Sequence, residues 1–242
     1  MKLLALLALS TFLSLPTFSQ DTDPKIINDA NAEPRRVGSF HAIKVEDGID
    51  LYLTQGDEET VVVSANKIEY RNKINTRVEN GVLRIYFGDE RGLVITWRDR
   101  RLRAYISVKK LDALQASGGS DVIVRGTLSA DKLKLDFSGG SDFVGSIKAN
   151  ELTVDISGGS DARLTGNAVN LRVEASGGSD FKGYDMVSDY AIVEASGGSD
   201  AQLTVNKELF AEASGGSDIY FKGNPSIKRS SSSGGSSVSR RN

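Results

Sequence analysis

The pentapeptide Ser-Gly-Gly-Ser-Asp occurs six times, starting at Ser117, Ser138, Ser157, Ser176, Ser196 and Ser214, with spacings of 21, 19, 19, 20 and 18 residues. A degenerate copy, Ser-Gly-Gly-Ser-Ser, begins at Ser233. Each full copy sets a carboxylate just after a glycine turn: Asp121, Asp142, Asp161, Asp180, Asp200 and Asp218. Stacked copies would line these acids up as a ladder, in which neighbours repel by roughly 1 kcal/mol even in water. Serine hydroxyls and turn N–H groups can offset that repulsion, since Asp routinely caps turns, and a structural turn ladder is the reading adopted. The competing chemistry is Ca²⁺, a hard cation that takes several oxygen ligands. A period near 20 differs from that of the nonapeptide coils that bind calcium, so no metal or cofactor is assigned.

The least repetitive chemical feature is a basic knot beside the one tryptophan: Trp97, Arg98, Arg100, Arg101 and Arg103. Guanidinium groups can grip an anionic glycan or phosphate while an indole stacks on a sugar; the plainer alternative is a solvated hairpin tip. Catalysis is expected to be absent. The acidic column Asp136, Asp155, Glu174, Glu194 and Glu212 lies across the turn from the Asp ladder, but a glycosidase pair needs two unlike environments and these positions repeat. His41 is the single histidine, and no Gly-x-Ser-x-Gly elbow exists to present a nucleophile. Ser-x-x-Lys at Ser64, Ser107 and Ser129 lacks its companion motifs.

The elements that must position these groups are strands. Two columns before each motif are apolar: Leu114, Leu135, Val154, Val173, Val193 and Ala211, then Ala116, Phe137, Ile156, Ala175, Ala195 and Ala213. Polar residues alternate with them, the period-two signature of a half-buried strand. After the motif, Val122, Phe143, Ala162, Phe181, Ala201 and Ile219 also point inward, followed two residues on by Val124, Gly145, Leu164, Gly183, Leu203 and Phe221. Copies of one polarity at this period stack in parallel about 4.8 Å apart. The expected fold is therefore all-β: a right-handed parallel β-helix or β-solenoid with about 18–21 residues per rung. N-terminal strands and hairpins continue or cap the coil. Val45 to Leu53 repeats the strand, glycine turn and strand order and is expected to begin it. Asn80-Gly81 marks a hairpin between Arg77 and Ile85, and a second hairpin is expected between Leu93–Trp97 and Leu102–Val108. The Ser-rich tail from Ser230 to Asn242 reads as either a polar last rung or a disordered end.

The chain has 25 glycines against 4 prolines and no cysteine, which excludes disulfides and thiolate sites. Residues 67–110 carry 12 Lys and Arg against 5 Asp and Glu, whereas residues 111–223 carry 9 against 17. Residues 1–19 read as a secretory signal peptide, with Lys2, an apolar run over Leu3–Leu15 and small residues before Gln20. A flexible linker is expected over 20–37 and a single β-solenoid domain over 38–240, with its Ser-Gly-Gly-Ser-Asp rungs at 111–223. No second segment has the length and apolarity of a transmembrane span.

Phe40-x-x-Ile43-x-Val45, Gly48-Ile49-Asp50-Leu51, the Val78–Ile85 hairpin, the serial Ser-Gly-Gly-Ser-Asp turns and Tyr220-x-x-Gly223-Asn224-Pro225 together resemble the putative auto-transporter adhesin head GIN-domain family, exported bacterial proteins known largely from Bacteroidetes. The resemblance covers roughly residues 38–240. It implies a β-helical fold and an adhesin-like surface role, and carries no catalytic residues across. The expected function is a non-catalytic, exported binding or display protein that contacts a glycan or cell-envelope component, with nucleic acid set aside as a partner. Alternatives are a carbohydrate-active enzyme on a β-helix and a homotypic scaffold; a homo-oligomer stays open. Periplasm, outer-membrane surface and extracellular space are all compatible locations.

Overall fold

The structure is a computed structural model and describes residues 29–88 and 99–242. The signal-peptide segment 1–19 and the first part of the expected linker lie outside the described residues. The chain is almost all β, with a parallel β-solenoid as its main body. Its repeated part consists of five long, bent strands: β9 (Val122–Ser138), β10 (Phe143–Ser157), β11 (Ala162–Ser176), β12 (Asp180–Ser196) and β13 (Asp200–Gly215). Each pairs in parallel with the next, so Leu135, Val154, Val173, Val193 and Ala211 form one continuous column. These side chains are fully buried. Every strand begins after one glycine corner and ends at the following one, so the corners stack as well.

The rungs beneath come from β2 (Ala42–Val45), β3 (Ile49–Gln55), β6 (Val82–Phe87), β7 (Leu102–Val108) and β8 (Ala113–Ser117). Ile43 pairs with Leu114 on one side and Leu83 on the other. The β2–β3 rung therefore does not begin the coil, contrary to expectation. It is an interior rung, because its aliphatic residues need covering on both sides, and β6 supplies the further layer. The chain reaches that layer through β4 (Thr60–Ser64), the single helical turn α1 (Ile68–Arg71) and β5 (Ile74–Glu79). The hairpin at Asn80-Gly81 forms as its sequence dictates: β5 and β6 are antiparallel, and both turn residues have positive φ.

β7 pairs with β3 in parallel and with β4 antiparallel; Leu93–Trp97, the other arm of the expected hairpin, lie outside the described residues. The linker expected over 20–37 is docked where it is described. β1 (Glu33–Pro34) pairs with β4, and the Asn31 side chain donates to the Ala65 carbonyl at 3.0 Å. At the other end, β14 (Asp218–Lys222), β15 (Ser226–Gly234) and β16 (Ser237–Arg240) finish the stack. The tail thus takes the polar-rung alternative: Ser230 and Ser232 sit over Ala211 and Ala213, ending the aliphatic columns in hydroxyls, as a solenoid cap requires. Among the described residues no helix is long and apolar enough to cross a membrane.

Inside the coil, volume is exchanged between neighbouring columns. Where a rung has Phe143 or Phe181, the residue two further on is Gly145 or Gly183; where it has Ala162 or Ala201, that residue is Leu164 or Leu203. A Cβ at Gly183 would lie 2.4 Å from the Phe181 ring, so the ring occupies the space its own strand leaves empty. Alternating Phe-x-Gly and Ala-x-Leu rungs keep the interior close-packed. Phe181→Ala should cost about 3–5 kcal/mol, and Gly183→Leu should also destabilise strongly. The double variant, which converts the rung to its neighbours' pattern, should recover at least about 1 kcal/mol of the summed loss. Additive losses in urea denaturation would contradict this packing.

Candidate functional site

The repeated corner is the first place to look for chemistry. In the turns starting at Ser117, Ser138, Ser157 and Ser176 both glycines have positive φ, and adjacent corners approach closely: a Cβ on Gly158 would be 3.2 Å from the Gly139 amide nitrogen. The second serine of every motif is fully buried: Ser120, Ser141, Ser160, Ser179, Ser199 and Ser217. In all of them but Ser179, whose hydroxyl donates to the Ser176 carbonyl at 2.9 Å, the hydroxyl oxygen accepts from the corner below. The Ser120 N–H donates to Ser141 Oγ at 2.9 Å, the Ser141 N–H to Ser160 Oγ at 3.0 Å, and the Ser199 N–H to Ser217 Oγ at 3.3 Å. Ser120 Oγ extends the series into the irregular rung by accepting from the Gly48 and Ile49 N–H groups, both at 3.1 Å. Sequence reasoning passed over this inner serine ladder. The signal was its parity, two residues before the inward Val122, Phe143 and Ala162.

The aspartates run parallel to it, closer to solvent. The Asp142 N–H donates to Asp121 Oδ1 at 3.1 Å, Asp161 N–H to Asp142 at 2.9 Å, Asp180 N–H to Asp161 at 3.2 Å and Asp218 N–H to Asp200 at 3.1 Å. Lys182 Nζ lies between Asp161 and Asp180, 3.2 Å from the latter. Hydrogen bonds from Ser237 and then Tyr220 hold the Asp218 carboxyl below its ordinary value. Among the described residues no three His, Asp or Glu side chains come together as a metal cage. Asp50, beside the first corner, behaves oppositely: burial, then the charge of Asp121, raises its pKa.

Trp97 and Arg98 of the basic knot lie outside the described residues. The structure does not gather the other three. Arg100 is only 9% exposed, with its guanidinium 4.2 Å above the Phe87 ring, a buried position unlike a solvated tip. Arg101 is exposed and pairs with Asp99 at 3.3 Å. Arg103, on β7, pairs with Asp29 at 3.4 Å. His41 is exposed beside Asp112, 3.1 Å away.

The outer face of the strand segments that precede the corners holds a different feature. Its acidic column is interlaced with cations: Lys134 pairs with Asp155 at 2.8 Å, Arg172 with Glu174 at 2.6 Å and Glu194 at 2.9 Å, and Arg229 with Glu212 at 2.8 Å. Beside it the pattern breaks into exposed apolar residues: Tyr190 (39% exposed), Ile192 (41%) and Phe210 (39%). Ile192 and Phe210 are register partners on β12 and β13. They border a trough of about 390 Å³ that crosses β10 to β13, with Leu152, Leu171 and Ala191 among its lining and Glu151, Thr153, Asn170, Arg172 and Glu208 as its polar groups.

A family model described as putative auto-transporter adhesin, head GIN domain, matches residues 39–225. The chain belongs to this family. Solved structures share the fold of this chain. A putative adhesin of Bacteroides fragilis superposes with a TM-score of 0.78 at 18% identity, covering 87% of this chain and 96% of its own. A putative adhesin of Parabacteroides distasonis gives 0.68 at 21% identity, covering 87% and 96%. A protein of the same species described as a putative lipid binding protein gives 0.64 at 16% identity, covering 88% and 98%. No curated protein matches the chain.

Two substitutions probe the GIN-domain corner. Ser160→Ala strands the buried Ser141 N–H and should cost about 1–3 kcal/mol. Asp161→Asn keeps an acceptor for the Asp180 N–H, loses only a half-exposed ion pair and should cost no more than about 1 kcal/mol. Equal shifts in the urea midpoint would show that the inner ladder is not the tighter tie. For Asp50, a raised folded-state pKa means the native chain holds that proton more tightly than the unfolded one. Its ionisation therefore lowers stability as pH rises from the ordinary value of 3.8 through the raised one. Asp50→Asn should raise Tm at neutral pH, and the gain should vanish in acid once the wild-type carboxyl is protonated. A Tm difference independent of pH would remove this account.

Proposed function

We propose that this protein is an exported, non-catalytic adhesin-like module whose rigid coil presents an outer face to a glycan or another cell-envelope component. The observation that carries the reading is the cluster of Tyr190, Ile192 and Phe210. These large side chains stand exposed on adjacent strands whose backbones are locked by a fully buried core, and contiguous exposed apolar groups on such a scaffold mark interaction surfaces. Membership in an adhesin family supports the same reading, as does the leader-like sequence of residues 1–19. On this face Asp155, Glu174, Glu194 and Glu212 each pair with a lysine or arginine, which suits a structural lattice better than a split-pKa catalytic pair.

Assembly through the end of the coil is the weaker reading. β15 pairs with β13 alone among the described strands, so one edge is open. Lys228 and Arg229 lie along it, and charged residues on an edge discourage strand addition.

The test is binding of the chain from Gln20 onward to isolated outer-membrane vesicles and to a glycan microarray, with chromatography of the glycans afterwards. Saturable binding with the glycans returned intact is expected. Shortened glycans would overturn the non-catalytic assignment, and absence of binding to both surfaces would overturn the adhesin-like one.

A further inference from the structure

Resting on the adhesin-like reading, we infer that the trough across β10 to β13 is a binding site for an uncharged saccharide chain lying along the coil axis, with Tyr190 and Phe210 as its stacking platforms. Three observations select this occupant. The first is shape. The trough crosses four neighbouring strands, a run of roughly 14 Å at about 4.8 Å per strand, so it is an open track for an extended chain rather than a pocket for a compact molecule. It runs across the strands, so an occupant passes from rung to rung and meets a similar backbone at each step.

The second is the chemistry of the lining. An aromatic ring offers an apolar face to the C–H side of a pyranose, and a tyrosine adds a polar tip. Here a phenol and a phenyl ring stand on consecutive rungs, one in each of two adjoining outer columns, with Ile192 between them as strand neighbour of one and register partner of the other. Asn170 and Thr153 line the same trough one and two strands away. The Asn170 amide and the Thr153 and Tyr190 hydroxyls make no hydrogen bond to the protein among the described residues, so they are free to meet sugar hydroxyls. Tyr190, Ile192 and Phe210 are the large apolar side chains of the lining that stand exposed, and the polar groups beside them can fix a ligand's orientation, as in small-molecule sites.

The third is charge. Every ionised side chain that reaches the trough has a partner within the protein. Glu151 pairs with Lys132 at 2.9 Å, Arg172 with Glu174 and Glu194, and Glu208 with Lys228 at 3.3 Å. Lys207, which lies 5.5 Å from the centre of the Tyr190 ring, is held by Asp189 at 2.9 Å. A sulfated or uronate-rich glycan would meet glutamates with no unpaired cation to compensate, and a polycation would have to displace four internal lysines and arginines. Neutral hydroxyl-rich chains disturb neither set.

Isothermal titration and native gels with hexasaccharides of β-1,4-glucose, β-1,4-N-acetylglucosamine and α-1,6-mannose, and with anionic polygalacturonate, test the inference. At least one neutral hexasaccharide should bind, with affinity rising with chain length up to about three or four sugar units, the reach of a 14 Å track. That binding should be unchanged between about 0.05 and 0.5 M NaCl, because no ion pair is formed across the interface. Phe210→Ala and Tyr190→Ala should each weaken it at least tenfold while keeping the wild-type melting temperature to within a few degrees, since both side chains are substantially exposed. Val144→Ala, an exposed apolar residue outside the trough, should bind like wild type. Three results would overturn the inference: no neutral hexasaccharide bound, neutral binding unaffected by both aromatic substitutions, or binding confined to polygalacturonate and lost with salt. Vesicle binding that persists while neutral sugars fail to compete would sink this site alone and leave the adhesin-like reading standing; loss of vesicle and sugar binding together would sink both.

Discussion

The hydrogen bond from a buried backbone N–H to the serine hydroxyl of the next corner is the tie on which the coil depends. A parallel stack of strands needs something to fix which residue lies over which, because a slip of one position would turn every inward side chain to solvent. Here the corner supplies it. The glycines permit corners to approach until a Cβ would meet the next amide nitrogen at 3.1–3.3 Å. At that separation a serine oxygen reaches the N–H below it, and a buried N–H left without a partner would cost more than the bond contributes when made. The shortest side chain carrying an acceptor oxygen, beside a residue with no side chain at all, is the combination that fits.

Rung length varies between 18 and 21 residues while the corners stay in register. Most irregularities fall elsewhere: between Val144 and Ser146, between Arg163 and Gly166, between Gly183 and Val187, and between Ser188 and Tyr190. These lie in the stretch that follows a corner, before the column of Leu152, Leu171 and Ala191 restores alignment; one more, between Leu209 and Phe210, falls where β13 meets the closing strand β15. The corner holds phase and the opposite side absorbs insertions, as bulges do in other sheets. The trough lies next to the absorbing side, on strand segments already back in register.

The coil was legible because its signal is local and repeated: a turn that demands glycine, flanked by period-two alternation. What escaped the sequence reading is what depends on partners distant in the chain. Nothing near Leu102 announces that β4 will claim the second edge of β7, and nothing near Val45 announces that β6 will cover it from below, since both facts follow from a detour of roughly forty residues. The inner serines were within reach through parity, as was the exchange of Phe-x-Gly for Ala-x-Leu, because both columns can be read directly. Tyr190, Ile192 and Phe210 are harder. Rungs of 20 and 18 residues separate the columns, and only the paired register sets Phe210 beside Ile192. The arginine cluster shows the converse: residues adjacent in sequence, Arg100, Arg101 and Arg103, are drawn to Phe87, Asp99 and Asp29 in three different places.

Residues 67–110 are net basic and residues 111–223 net acidic, but on the outer face much of that charge is matched within the protein. Lys134, Arg172 and Arg229 are spent on the acids of the neighbouring column, so the excess of carboxylates over residues 111–223 is dispersed along the stack. Surface pairs of this kind contribute little stability each. Their larger effect is on recognition: a face whose ions are matched internally has weak steering fields and little to gain from an ionic ligand. Discrimination on such a surface must come from shape, from apolar contact and from the few hydroxyl and amide groups left unpaired. A rigid coil is suited to that, because its side chains stand at fixed intervals set by strand spacing, and a ligand whose own repeat is close to that spacing can satisfy several positions without the protein reorganising. The same rigidity makes tight closure around a ligand unavailable, which favours many weak, repeated contacts over one enclosed site.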